Sequence, residues 1–137
     1  MSIVHTSTAT LGFYGDDLDP DEITTCLGVS PTIAVRKDGS WLTSQGTEKT
    51  AKTGSWRLEV DRCEPADLDA QIRQLLSFSP NAPEIWQSLA ALYRGQIFVG
   101  LFLNSGNEGL TLQPDTLTMI SERGLTLDLD IYGHEPD

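Results

Sequence analysis

Phe13-Tyr14-Gly15-Asp16-Asp17-Leu18-Asp19-Pro20-Asp21-Glu22-Ile23-Thr24, running on to Leu27-Gly28-Val29-Ser30-Pro31-Thr32, packs a strand end, an acidic turn, a capped helix and an exit turn into one short stretch. Upstream of it, Ala9, Leu11 and Phe13 alternate with Thr8, Thr10 and Tyr14, the period of a half-buried strand over 8–14 that Gly15 breaks. Asp19 suits the N-cap, Pro20 the first helical position and Glu22 the third, which predicts a capping-box variant worth about 1 kcal/mol. Asp21 and Glu22 also oppose the positive end of the helix. Ile23 and Leu27 form its apolar stripe, and Gly28 is placed to end it in a left-handed turn.

The same reading extends along the chain. A second strand is expected over 32–36 and a third over 55–60, where Trp56, Leu58 and Val60 point one way. Between them, residues 37–54 are rich in Thr, Ser, Gly and Lys and read as a long mobile loop with one aromatic, Trp41. Leu68, Ile72, Leu75 and Leu76 mark a helix after Glu64-Pro65, interrupted at Ser79-Pro80-Asn81. Pro83 opens a further helical segment that Arg94-Gly95 should close. Gln96 to Asn104 is apolar on both faces and is expected centrally in the sheet. The 104–109 loop has hairpin chemistry, returning as a short strand over 110–112. A last helix starts at Pro114-Asp115, and Leu125, Leu127, Leu129 and Ile131 alternate with Thr126, Asp128, Asp130 and Tyr132 in a closing strand. The order β-α-β-β-α-α-β-β-α-β predicts an α+β fold: a single-domain two-layer sandwich, mostly antiparallel, with its helices on one face. Its core should span about 8–133, followed by a frayed tail over 133–137.

At 137 residues the chain is large enough for one core without staples. No apolar run reaches the roughly 18 residues of a membrane span, and the first residues lack the pattern of a signal peptide, so the expected compartment is the cytoplasm. Cys26 and Cys63 then read as two buried thiols rather than a disulfide. The net charge of -11 is uneven: residues 1–35 hold five acids and no Lys or Arg, residues 36–57 carry +3, and residues 58–137 carry -9. Such acidity argues against nucleic acid and against anionic membrane surfaces, and favours solubility or a basic partner.

The residues offer little chemistry. Asp17, Asp19 and Asp21 stand at alternate positions, but a calcium loop starting at Asp17 would need Gly where Glu22 stands and Glu where Gly28 stands. Capping is the better account. Asp128 and Asp130 share a strand face and read as solvated. His5 and His134 lie far apart in sequence, so a two-histidine site requires residues from both ends of the chain to meet. No phosphate loop, nucleophile elbow or metal spacing is present, and no cofactor is implied. Trp41, set among Lys and Arg, is the one aromatic placed as an interface anchor would be.

The phrase Phe13-x-Gly15-Asp16-Asp17-Leu18-Asp19-Pro20-x-x-Ile23-Thr24, then Leu27-Gly28-x-x-Pro31-Thr32, resembles the start of the bacterial domain-of-unknown-function family numbered 4279. The Trp56 strand, the amphipathic helices and Leu129-Asp130-Ile131-Tyr132 are similar in order and spacing, so the resemblance covers roughly Ala9 to Gly133. It implies a compact bacterial cytoplasmic domain and carries no catalytic or binding residue. The resulting expectation is a non-catalytic acidic module that binds a basic protein, as an immunity protein blocks a toxin or nuclease. Its contacts are expected at Asp16, Asp17, Trp41, Asp128 and Asp130. The alternative is a small-molecule-binding domain or enzyme with a site between sheet and helices.

Overall fold

The alternation that begins at the first strand continues over Thr6–Gly15, and that strand becomes the centre of the sheet. The computed structural model describes residues 2–79 and 82–135. In chain order its elements are β1 (Ser2–Ile3), β2 (Thr6–Gly15), α1 (Pro20–Leu27), β3 (Ile33–Val35), β4 (Ser40–Leu42), β5 (Glu48–Thr50), β6 (Gly54–Glu59), α2 (Leu68–Ser77), α3 (Pro83–Leu92), β7 (Arg94–Phe102), β8 (Glu108–Gly109), α4 (Pro114–Glu122) and β9 (Thr126–Tyr132). The main sheet runs β3-β6-β2-β7-β9, antiparallel throughout except for the parallel pair β7 and β9. The Pro80-Asn81 interruption and the last two residues of the expected tail lie outside the described residues.

All four helices among the described residues pack on one side of this sheet: α1 on β6, α2 on β2, α3 on β7 and β2, α4 on β9. Leu11, Phe13, Trp56, Ile97 and Val99 point to that side and are wholly buried with Ile23, Leu27, Ile72, Leu75, Leu76 and Trp86. This is the expected α+β two-layer sandwich. Trp56 and Trp86 are core, Trp56 meeting Phe13 edge-on with ring centroids 6.0 Å apart. The other side of the sheet carries no helix.

Local rules hold at α1 and part company with the expectation in one detail. Asp19 accepts the Asp21 N–H at 3.0 Å, and Gly28 ends the helix at φ 73° with its N–H on the Thr24 carbonyl. The second half of the capping box is not made. Glu22 instead accepts the Tyr93 hydroxyl at 3.4 Å, while Asp19 also takes Arg36 at 2.8 Å.

Four further expectations are corrected. Residues 37–54 contain an antiparallel β4–β5 hairpin with Trp41 opposite Lys49, because Thr43 and Thr47 close the turn through backbone and hydroxyl bonds. The 104–109 loop does not return along β7. Glu108 accepts the Asn104 and His5 N–H groups, which steers Glu108–Gly109 into a parallel pairing with β1, and β9 takes the place beside β7. Arg94-Gly95 is strand, not cap: Tyr93 is already extended, and a Cβ on Gly95 would lie 3.0 Å from Phe13 and 3.2 Å from Ala90, so glycine there lets α3 sit close on the sheet. Finally, β7 is interior yet not buried on both faces, since Phe98 is exposed on the helix-free side.

Asp69 ties α2 to α4. Its carboxylate accepts the Gln113 N–H at 2.8 Å, at the start of α4, and Arg73 Nε at 3.2 Å. Burial works to raise its pKa, but these hydrogen bonds and the Arg73 charge outweigh it and hold the carboxyl below its ordinary value. A depressed folded pKa means stability that is fully present above the unfolded value and lost as pH falls from there through the folded value. We expect Asp69→Asn to lower unfolding free energy at pH 7 by about 1 kcal/mol, a single charged hydrogen bond weakened. The gap to the parent protein should shrink below about pH 4, as read by urea unfolding at pH 7 and pH 3.

Candidate functional site

Among the described residues no helix covers the other face of the main sheet, so its side chains are left as surface. Register fixes its composition. Because β2 pairs with β6 and β7 on either side, Gly12 lies between Arg57 and Gln96, Tyr14 between Ser55 and Arg94, and Thr10 between Glu59 and Phe98. Across the parallel pair, Phe98 sits beside Asp128, Gly100 beside Asp130 and Phe102 beside Tyr132. The result is a surface with Arg57 and Arg94 flanking β2, Glu59 farther along β6, and Asp128 and Asp130 along β9.

On the β6 side the β4–β5 hairpin stands over the sheet edge and leaves a groove of about 340 Å³, lined by Tyr14, Ile33, Val35, Trp41, Lys52 and Arg57 among others. It adjoins a shallower hollow of about 400 Å³ formed by Tyr14, Arg57, Arg94, Gln96 and Phe98. Tyr14 and Arg57 belong to both. The Nε of Arg57 is shielded from water and has no hydrogen-bond partner.

On the β9 side, the Tyr132 hydroxyl donates to Asp130 at 2.7 Å, and its ring stacks on Phe102 with centroids 4.7 Å apart. That bond to Asp130, together with the nearby negative charge, holds the Tyr132 phenol above its ordinary pKa. Asp128 is exposed and Asp130 half-buried. The expected inward stripe of β9 is only partly covered: Leu125 is buried, but Leu129 is 47% exposed and Ile131 57%. β9 is also the end strand of the sheet, so among the described residues its outer backbone groups have no strand partner.

The other expected residues fall elsewhere. Asp16 is bound into the structure, accepting from Thr53 and pairing with Lys37 at 3.5 Å, which together keep its carboxyl below the ordinary value. Asp17 is exposed on the same turn, apart from the sheet face. Trp41 is 39% exposed and lines the groove. His5 is occupied by Glu64 at 3.1 Å and by the Thr6 hydroxyl. Cys26 and Cys63 are not joined in a disulfide, and both are half-buried rather than buried.

The sequence reading missed Tyr14, Arg57, Arg94, Leu129 and Ile131 as surface features. Arg57 was visible as the polar partner of Trp56 and Leu58, but its placement beside Gly12 depends on strand register. Among the described residues no helix is long and apolar enough to cross a membrane. A family model described as "Domain of unknown function (DUF4279)" matches residues 5–134. No curated protein and no solved structure matches the chain.

Proposed function

The chain belongs to the DUF4279 family, a domain of unknown function, and we propose that it is a non-catalytic protein-binding module whose partner adds a strand along β9. The observation that carries this is the state of that edge. β9 is seven residues long, unpaired on its outer side, with Leu129 and Ile131 exposed on one face and Asp128 on the other. Long apolar edges are usually blunted in soluble proteins because they template pairing. The opposite edge obeys that rule, since β3 has three residues only.

Charge selects the partner. A second copy laid antiparallel and centred on Leu129 would put Asp128 opposite Asp130, and like charges in register disfavour self-pairing. A strand carrying Lys or Arg at alternate positions would instead meet these carboxylates while its apolar residues cover Leu129 and Ile131. The net charge of -11 steers such a partner from a distance. Inhibition of a basic bacterial toxin or nuclease in the cytoplasm, as immunity proteins perform it, is the form of this role that the charge suits best.

The test uses an acetylated, amidated peptide of alternating Lys and Val against its Glu and Val counterpart. The Lys peptide should shift and protect the β9 backbone amides and bind about tenfold more tightly, two charge pairs at up to 1 kcal/mol each. Asp128→Lys combined with Asp130→Lys should reverse the preference. Shifts that avoid β9, or a preference that survives the charge reversal, would remove the proposal.

A further inference from the structure

We propose that the groove between the β4–β5 hairpin and the open sheet face binds a small ligand with a planar apolar body and a terminal anion, carboxylate or phosphate. The site lies across β2 and β7 from the β9 edge, and it stands or falls independently of strand addition there.

The unmatched arginines carry the anionic half. The chain has 20 acids to nine Lys and Arg, and Arg36, Lys37, Arg73 and Arg123 all take carboxylates within 4 Å. Among the described residues five of the nine take none, Lys49, Lys52, Arg57, Arg62 and Arg94, and the two arginines of these that line the groove or its adjoining hollow are Arg57 and Arg94. Arg57 is the more telling of the two. Its Nε is removed from water, yet nothing in the protein accepts its hydrogen. A buried donor left in that state is unfavourable, and Arg57 lines both the groove and the adjoining hollow, so turning its guanidinium toward an anion there would give that donor a partner. The planar fork of arginine is also the side chain best shaped for two-point contact with carboxylate or phosphate.

The apolar half comes from the walls. Trp41 of the hairpin, Ile33 and Val35 of β3 and Tyr14 of β2 all line the groove together with Arg57. Tyr14 is held flat by the absence of a side chain beneath it: a Cβ on Gly12 would lie 2.5 Å from its hydroxyl oxygen and 2.7–2.8 Å from its ring carbons. Gly12 is the cross-strand neighbour of Arg57, so the ring spans the strand toward that guanidinium. Two aromatic faces beside a fixed cation suit a planar body that ends in a negative group. A volume of about 340 Å³ is that of a small-molecule site.

The test titrates the full chain with 2-naphthoate, 2-naphthyl phosphate and the neutral 2-naphthamide, following the Trp41 indole N–H and Arg57 Nε–H resonances. At least one of the two anions should shift both signals to saturation, and which of them binds more tightly names carboxylate or phosphate as the natural end group. The amide should bind about tenfold more weakly, the loss of a charged hydrogen bond. Arg57→Gln should weaken the preferred anion by a similar factor with unchanged thermal stability. Trp41→Ala, on the exposed hairpin, should weaken all three ligands alike. Equal binding of anion and amide, indifference to Arg57→Gln, or no shift with any ligand at about 5 mM, an affinity too weak to matter, would overturn the proposal.

Discussion

Replacing Trp56 by alanine should lower the free energy of unfolding by about 3–5 kcal/mol, a large share of the roughly 5–15 kcal/mol that holds a domain of this kind together. Three contacts converge on that one side chain. It is wholly buried under the helices, meets Phe13 edge-on, and donates its indole N–H to the Thr24 hydroxyl at 3.0 Å. The last of these links β6 to α1, so the substitution also strands a half-buried hydroxyl on the helix. Trp56 adjoins Arg57 and pairs with Ala34 of β3, which places it directly behind the groove. Trp56→Phe should restore most of the stability, lacking only the indole bond and part of the volume. Urea unfolding measures both, and a loss below about 2 kcal/mol for the alanine variant would mean that the core there is not packed as described.

Gln71→Leu should cost about 3 kcal/mol, although it replaces a polar group in the core by an apolar one. Gln71 is 2% exposed, and its amide donates to the carbonyls of Ser7 at 3.0 Å and Asp61 at 2.9 Å. Its oxygen accepts the Ser7 hydroxyl at 2.5 Å, and that hydroxyl in turn accepts the Asp67 N–H at 3.2 Å. Ser7 and Cys63 exchange two backbone bonds at the same place. Gln71 thus latches the 60–67 connection to the start of the central strand. Leucine would take the amide donor from the Asp61 carbonyl and the acceptor from the Ser7 hydroxyl hydrogen, each at about 1–3 kcal/mol. Faster hydrogen exchange at the Ser7 and Cys63 amides should accompany the loss. Near-wild-type stability with unchanged exchange would show that the latch is not needed.

Periodicity found α1 and α2 because each has one buried face: Ile23 with Leu27, and Leu68 with Ile72 and Leu75. It found β2 and β6 for the same reason. It misjudged the 104–109 region because turn chemistry says where the chain bends, not which strand receives it. Asn104 to Gly109 bends as expected, but the bend is closed by the Glu108 carboxylate and delivers the chain to β1. Alternation in β9 correctly separated Leu129 and Ile131 from Asp128 and Asp130. Whether any helix reaches far enough to cover the apolar side is a question of α4's length and placement, which period alone does not encode. The groove was hidden for a related reason. Arg57, Tyr14 and Arg94 come from three strands and become neighbours only through register, and Gly12 gains its meaning only once Tyr14 lies across it. Gln71 stood on a helix read from its leucines, and nothing in its spacing marked it as interior.

Strand order also bears on how the protein is made. The strand at the middle of the sheet is the first of the five to leave the ribosome, and its two neighbours are β6 and β7. Between Gly15 and Arg94 the ribosome must add about 80 residues, roughly 4–16 s at ordinary elongation rates. Throughout that interval Ala9, Leu11 and Phe13 have an incomplete sheet around them. During that interval β6 is the one final neighbour of β2 that can pair with it, and the strand's other edge waits for β7.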